Sequence, residues 1–289
     1  MRPRDEPGKH QLSEPIQRLT DVPSATWAEV AGACRGVFSD IDDTLTERGH
    51  LVLSACAALH ALRDAGLRTV LVTGRPLGWA EVLATLLPVD AAIAENGAVA
   101  ALPGGSRLYY DDEAARSLGA ERRAAARAHV AHELPWVRPA MDQSLREVDL
   151  AYDIDEHEHL SAEDILRTRT LLESHGLRTT RSSIHLHGTF SLADKAKMSA
   201  LVAQHLWGEP AGLVASRYLY VGDSPNDAPA FSFFRHSVGV ANVERHLPAL
   251  RALGVSVWAV TTQPGGRGFA ELIAHLLQVR SVSSPTEQL

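Results

Sequence analysis

Residues 38–46 read Phe38-Ser39-Asp40-Ile41-Asp42-Asp43-Thr44-Leu45-Thr46. An apolar run from Gly36 to Phe38 leads into Asp40, Asp42 follows two positions later, and Thr44 and Leu45 close the turn. Side chains two apart on an extended chain point the same way. A buried strand that ends by presenting two carboxylates on one face brings like charges together, and each shifts the other's pKa. The pair needs compensation, most simply from a divalent cation or from the counter-charges of a phosphate site. One carboxylate can then attack while the other manages protons.

Working outward, apolar runs alternate with helical patterns. The pattern predicts a strand over 36–41 and a helix over 54–65, with Ser54 as N-cap and Gly66 as its stop. It continues with a strand over 68–73, a helix over 77–87 and a strand over 90–94. After an interruption it resumes with a helix over 194–206, a strand over 218–221 and a short helix over 225–234. Strands over 237–240 and 255–260 and a helix over 268–278 complete it. Strands alternating with helices imply an α/β core, a mostly parallel sheet in a Rossmann-like three-layer arrangement. Ligands in such sheets sit beyond the carboxyl ends of the strands.

Residues 105–189 break the rhythm. A long charged helix over 112–133, a strand-like 146–152, a helix over 162–175, and strands over 177–181 and 184–187 read as an inserted α+β cap. Its two helices are expected to cover one face of a small sheet. The core is then 27–104 with 190–280. Residues 1–26 hold four prolines and many charges and read as a flexible arm, with 281–289 as a frayed end.

Four chemical signals fall in order at the ends of apolar segments. The first is Asp40-Ile41-Asp42, and the second is Thr73-Gly74-Arg75 after Val70-Leu71-Val72. A threonine hydroxyl with adjacent N–H groups can hold phosphate oxygens, and Arg75 can pair with phosphate or carboxylate. The third is Lys195 at a helix start, with Lys197 as its rival. Met198, Val202 and Leu206 fall on an apolar stripe counted from Lys195, which favours it. The fourth is Gly222-Asp223-Ser224-Pro225-Asn226-Asp227, whose acids suit a hard cation. Each signal alone fits a turn, a cap or a solvated side chain; their order and spacing argue against all four being structural.

This ordered set resembles the haloacid dehalogenase-like hydrolase superfamily. An insertion between the second and third signals resembles its type IIB cap arrangement, nearest the sucrose-phosphate and mannosyl-3-phosphoglycerate phosphatases. Glu95-Asn96-Gly97-Ala98, Val238–Asn242 and Gly266–Leu272 extend the resemblance over 36–280. Ala196 departs from the glycine that often follows the lysine, and Asp43 stands where the family often has glycine. The resemblance implies a phosphatase acting on a small phosphorylated substrate, a sugar phosphate above all, through a phosphoaspartyl intermediate. Asp40 is implied as nucleophile, Asp42 as acid and base, and Thr73 and Lys195 as holders of phosphoryl oxygens. Mg²⁺ is implied on Asp40, the Asp42 carbonyl and Asp223, with Asn226 and Asp227 joining directly or through water. A phosphomutase of the phosphomannomutase type and a catalytically silent binding module are the alternative readings.

Candidate substrate-binding residues are Thr73, Gly74, Arg75, Asn96, Arg146, Arg181, His185 and Lys195. His185 and His187 share a strand face without a third metal ligand at telling spacing. Asp155-Glu156-His157-Glu158-His159 reads as a solvated loop, and Arg122, Arg123 and Arg127 as a solvated helix face.

Bulk properties bound the partners. With 28 basic and 35 acidic residues the net charge is −7, which provides no basic field for nucleic acid. Hydrophobic residues at 45% and charged residues at 22% fit an ordinary soluble globular chain; the expected state is a monomer or homodimer. Cys34 and Cys56 are too few for a disulfide framework, which points to a reducing compartment. The charged N-terminus is not a signal peptide, and no apolar run approaches the roughly 20 residues that span a bilayer. The expected location is cytoplasmic.

Overall fold

A computed structural model of the chain describes residues 16–182 and 184–283. The chain passes through α1 (Ser24–Ala33) into β1 (Gly36–Ser39), then a small flap of β2 (Thr46–Glu47) and β3 (His50–Leu51). Next come α2 (Leu53–Asp64), β4 (Arg68–Val72), α3 (Leu77–Leu86) and β5 (Ala91–Ala94), followed by β6 (Val99–Ala101) and β7 (Arg107–Tyr109). The cap holds α4 (Glu113–Glu133), β8 (Asp149–Asp153), α5 (Ala162–Ser174), β9 (Arg178–Arg181) and β10 (His185–Thr189). The core resumes with α6 (Lys195–Trp207), α7 (Ala211–Arg217), β11 (Tyr218–Gly222), α8 (Ala228–Phe233) and β12 (His236–Gly239). It closes with α9 (Leu247–Ala252), β13 (Ala259–Val260) and α10 (Gly265–Ser283).

The central sheet has the order β13-β12-β11-β1-β4-β5-β6-β7. The first six strands in that order run parallel. β6 runs antiparallel to β5 because the turn at 95–98 is too short for a crossover, and β7 returns against β6. β1 lies between β11 and β4, with Ser39 level with Val221 on one side and Leu71 on the other. The chain leaves β1 toward β4 and β5 and later fills the opposite side, so the order reverses at β1. A cleft forms at such a reversal, beyond the strand ends.

Alternation along the strands builds a core on each face. Val37, Leu71, Leu219 and Val221 pack against Trp27 of α1, Leu59 and Leu62 of α2, and Phe269 and Leu272 of α10. Phe38, Val70, Val72 and Tyr220 pack on the other face against Met198 and Val202 of α6 and Phe231 of α8. Strands buried on both faces read as continuous apolar runs, which is why these were visible in the sequence.

The cap sheet is antiparallel in the order β8-β10-β9. Leu150, Tyr152 and Leu186 face α4 and α5, where they bury Val130, Leu134 and Leu172. The period of two therefore turns Asp149, Asp153, His185 and His187 to the other face of the sheet.

Several boundaries move. Residues 16–26 are not a free arm: Leu19 and Val22 are buried, the Val260 N–H donates to Gln17 O, and α1 begins at Ser24. Apolar anchors spaced among prolines and charges were masked by composition. β7 belongs to the core sheet, so the cap begins near residue 112 rather than 105. Ser54 is not an N-cap; α2 starts directly from Val52 as the flap hands the chain over. Only Ala259 and Val260 of the expected 255–260 strand pair with β12. α10 runs to Ser283, three residues beyond the expected end of the core at 280. The expected tails over 1–15 and 284–289 lie outside the described residues.

Candidate active site

Asp40, Thr73 and Asp223 each leave the end of a core strand. Asp40 follows β1, and its N–H donates to Val221 O of β11 at 2.8 Å. Thr73 follows β4 and Asp223 follows β11, so parallel register brings the three ends together. Asp43, at the turn after Asp42, has φ +56°, the left-handed region that accounts for a family glycine there.

Lys195 opens α6 and is 1% exposed. Its Nζ donates to Asp40 Oδ1 and Asp227 Oδ1, both at 2.6 Å. Lys197 is half-exposed; its Nζ donates to Leu192 O at 2.6 Å and pairs with Asp194 at 3.1 Å. Of the two lysines, only Lys195 reaches the acids. Asp227 Oδ1 also accepts from the Tyr220 hydroxyl (2.7 Å), and Oδ2 accepts from the N–H groups of Asp223 and Ser224 (both 3.0 Å). A Cβ on Gly222 would lie 2.6 Å from Asp227 Oδ2, so only glycine lets that carboxylate in.

The charge balance at this point is unfavourable by itself. Burial pushes the Asp40 carboxyl up to about 7, reinforced by Asp227 and Asp42 and opposed by Lys195. Burial likewise holds Asp223 well above the usual carboxylate range, with Asp40 and Asp227 adding repulsion. Burial pulls Lys195 down, but attraction to Asp227 and Asp40 outweighs it and holds the ammonium above its ordinary value. One lysine thus faces three buried acids. Asp40, Asp223 and Asp227 present carboxylate oxygens within 4.8 Å of one another, an all-oxygen donor set with surplus negative charge. That chemistry fits a hard divalent cation. Asp227 lies near enough to join such a set, yet its four hydrogen bonds already commit it to Lys195, Tyr220 and the 223–224 turn. Asn226 lines the cleft, where its Oδ1 accepts from Ser224 Oγ at 2.6 Å.

The cleft lies between core and cap. Asp40, Asp42, Gly74, Arg75, Asp223 and Asn226 line it from below, and Ser182, Ile184, His185 and His187 from above. Arg75 grips the Asp42 carboxylate through Nε and Nη2 at 3.0–3.1 Å. Its Nη1 donates to Glu156 Oε1 of the cap at 3.0 Å. Burial opposes the guanidinium charge, but Asp42 and Glu156 outweigh it and hold its pKa up. Glu156 also meets His185 Nε2 at 2.9 Å. Burial, then His187 and Arg146, push the His185 pKa below its ordinary value, so its imidazole is neutral near pH 7.

Two expected substrate residues are placed elsewhere. Arg146 is buried and fully engaged: it donates to Gly74 O (2.9 Å), Asp149 (3.0 Å) and Asp142 (3.2 Å). Arg181 is exposed on β9 and does not line the cleft. The expected solvated loop at 155–159 also needs correction, because Glu156 turns inward. Asp153 at the end of β8 accepts from the N–H groups of Glu156 and His157 and folds the loop back over the cleft. Asn96 lies against Gly74, whose added Cβ would meet its Oδ1 at 3.0 Å. Thr73 is buried, and its Oγ1 accepts from the Arg75 N–H at 2.9 Å, which leaves its own proton to donate.

Residues 37–118 match the model of the haloacid dehalogenase-like hydrolases. A phosphoglycolate phosphatase of Pyrobaculum aerophilum is 31% identical over 249 residues, covering 85% of this chain and 96% of that protein. Another from Natronomonas pharaonis is 31% identical, covering 72% of this chain and 84% of its own. Among solved structures, Thermoplasma acidophilum 0175 superposes with a TM-score of 0.65 at 20% identity, over 84% of this chain and 98% of that one. The sucrose-phosphatase of a Synechocystis species gives 0.62 at 20% identity, over the same shares. The chain belongs to the haloacid dehalogenase-like hydrolases. Within them it is a phosphatase with a type IIB cap.

Proposed function

We propose that this phosphatase hydrolyses a small sugar or polyol phosphate through a phosphoaspartyl intermediate and depends on Mg²⁺. The observation that carries the reading is the Asp40–Lys195–Asp227 line at a strand end, beneath a cap that brings the His185 and His187 imidazoles to the cleft. An Asp40 carboxylate oxygen attacks phosphorus as the bond from phosphorus to the alcohol oxygen breaks, with the Lys195 ammonium balancing negative charge on Asp40 and the phosphoryl group. Asp42 gives a proton to the leaving alcohol and later takes one from the attacking water. Thr73 Oγ1 donates to a phosphoryl oxygen. Bound on Asp40 and Asp223, Mg²⁺ would supply charge neutralisation and alignment for the phosphoryl group.

The leaving-group side favours an uncharged, hydroxylated alcohol. Among the described residues, the one guanidinium lining the cleft is Arg75, already shared by Asp42 and Glu156. His185, His187 and Ser182 offer hydrogen bonds to hydroxyls. The second reading is 2-phosphoglycolate, favoured by the relatives named as its phosphatases. Phosphate release from hexose phosphates, glycerol 3-phosphate and 2-phosphoglycolate, each with Mg²⁺ and with EDTA, tests both. The expected result is turnover that EDTA abolishes, with hydroxylated esters preferred. Turnover undiminished by EDTA overturns the cation, and a preference for 2-phosphoglycolate overturns the choice of alcohol. Transfer between hexose positions with little free phosphate would favour a phosphomutase.

The same cluster predicts how stability responds to pH. A carboxyl with a raised folded-state pKa favours folding while protonated and loses that contribution as pH rises through the folded value. For Asp40 the window runs from the ordinary 3.8 to about 7, and Asp223 acts in the same direction. In EDTA the melting temperature therefore falls between about pH 5 and about pH 8. Saturating Mg²⁺ removes the fall and raises the midpoint at the alkaline end. Identical profiles with and without Mg²⁺ would exclude cation binding at these acids.

A further inference from the structure

The turn that follows β4 is pinned at three successive carbonyls. The Asn96 N–H donates to Thr73 O (3.0 Å), the Arg146 guanidinium to Gly74 O (2.9 Å) and the Glu95 N–H to Arg75 O (3.0 Å). Thr73 N–H is taken by Ile93 O and Arg75 N–H by Thr73 Oγ1. Gly74 N–H is left without a partner among the described residues, in a residue that lines the cleft. Fixing the carbonyls fixes the peptide planes, so this arrangement sets where that N–H and the Thr73 hydroxyl point.

Glu95 ties the turn to the cap. Its side chain is 1% exposed and accepts four backbone N–H groups. Oε1 accepts from Leu77 (3.2 Å) and Glu147 (2.9 Å), and Oε2 from Val148 (2.6 Å) and Asp149 (2.8 Å). Leu77 opens α3, which has no side-chain cap of its own, and 147–149 is the segment entering β8. Glu95 and Asn96 both take positive φ, +49° and +55°, a conformation side chains avoid and surroundings must impose. Gly97 follows at φ +106°, where a Cβ would lie 2.3 Å from Asp194 O at the start of the Lys195 helix. One short loop thus touches the Thr73 turn, α3, the cap entry and the seat of Lys195.

We propose that Glu95 and Arg146 are positioning residues that make the geometry of the phosphate turn depend on a seated cap. Glu95 holds cap segment 147–149 to the core, and that segment carries Arg146 onto Gly74 O. The two act as one clamp with opposite polarity: a core carboxylate on cap N–H groups, and a cap guanidinium on a core carbonyl. Neither touches substrate, so loss of the clamp misplaces phosphate-binding groups without removing any.

Glu95→Gln, Arg146→Met and the double variant test this, with full Mg²⁺ and at a temperature where circular dichroism shows each folded. p-Nitrophenyl phosphate turnover and the inhibition constant of inorganic phosphate are read together. Each single variant is expected to lose about 10- to 100-fold in kcat, the scale of a small misplacement of reacting groups. Each should also weaken inorganic phosphate about tenfold, the scale for losing an outer-shell partner. The double variant should be little worse than the worse single, because both hold the same turn. Lowered melting temperature with unchanged kcat and phosphate inhibition would overturn the proposal, as would full additivity. Should Glu95→Gln fail to fold, Arg146→Met alone carries the same two readouts.

Discussion

Asp40→Asn lowers kcat by at least about 10⁴-fold, the order seen when a covalent nucleophile is removed from an intact site. The amide keeps the shape of the carboxylate but cannot displace an alkoxide from phosphorus. The loss falls on chemistry rather than folding, because the substitution removes one negative charge from a cluster that has too many. Asp40 is held up to about 7 by burial and by Asp227 and Asp42, so the fold gains by its neutralisation. The variant should therefore melt at or above the wild-type temperature in EDTA. Phosphate release at saturating substrate and Mg²⁺, with melting curves alongside, checks both halves. Residual turnover within tenfold of wild type would remove Asp40 from the chemistry.

Lys195→Met damages both activity and stability. It removes the one ammonium that neutralises Asp40 and Asp227, contacts of 2.6 Å each, from a position 1% exposed. Losing a buried electrostatic stabiliser costs on the order of 10²–10³-fold in kcat. Leaving its partners uncompensated costs about 3–5 kcal/mol of stability. The acids respond by holding protons more tightly, which gives the deficit a sign in pH. Raised folded-state values mean the variant recovers as pH falls and weakens as pH rises. Its melting deficit should be larger at about pH 8 than at about pH 5. Lys197→Met is the control, since that side chain is half-exposed and, among the described residues, holds Leu192 O and Asp194 alone. It should stay within about 0.5 kcal/mol and near full activity, as surface changes do. Equal effects from both substitutions would undo the assignment of Lys195.

Residues whose direction follows from strand periodicity were legible before any coordinates. Asp40, Thr73 and Asp223 end buried parallel strands, and His185 and His187 alternate on one cap strand, so pattern alone aimed them. Long side chains outside that logic were misread. Arg146 looked like a substrate ligand, but Asp142, Asp149 and Gly74 O consume it. Glu156 looked solvated inside a charged loop, but Asp153 folds the loop inward and Arg75 and His185 hold its carboxylate. Glu95 was seen only as part of a family motif; its four N–H donors come from α3 and the cap entry, up to 54 positions away.

The sequence by itself determined the class of fold, the order of the four motifs and the oxygen-rich chemistry of the site. Periodicity and residue type are local properties, and a buried parallel strand can point its terminal acid only one way. Only the tertiary structure decided which lysine meets Asp40, which guanidinium is spent on the cap, and what holds the turn after β4. Those outcomes depend on distances between segments far apart in the chain. A charged side chain at such a junction is settled by whichever partner packing brings within hydrogen-bond reach.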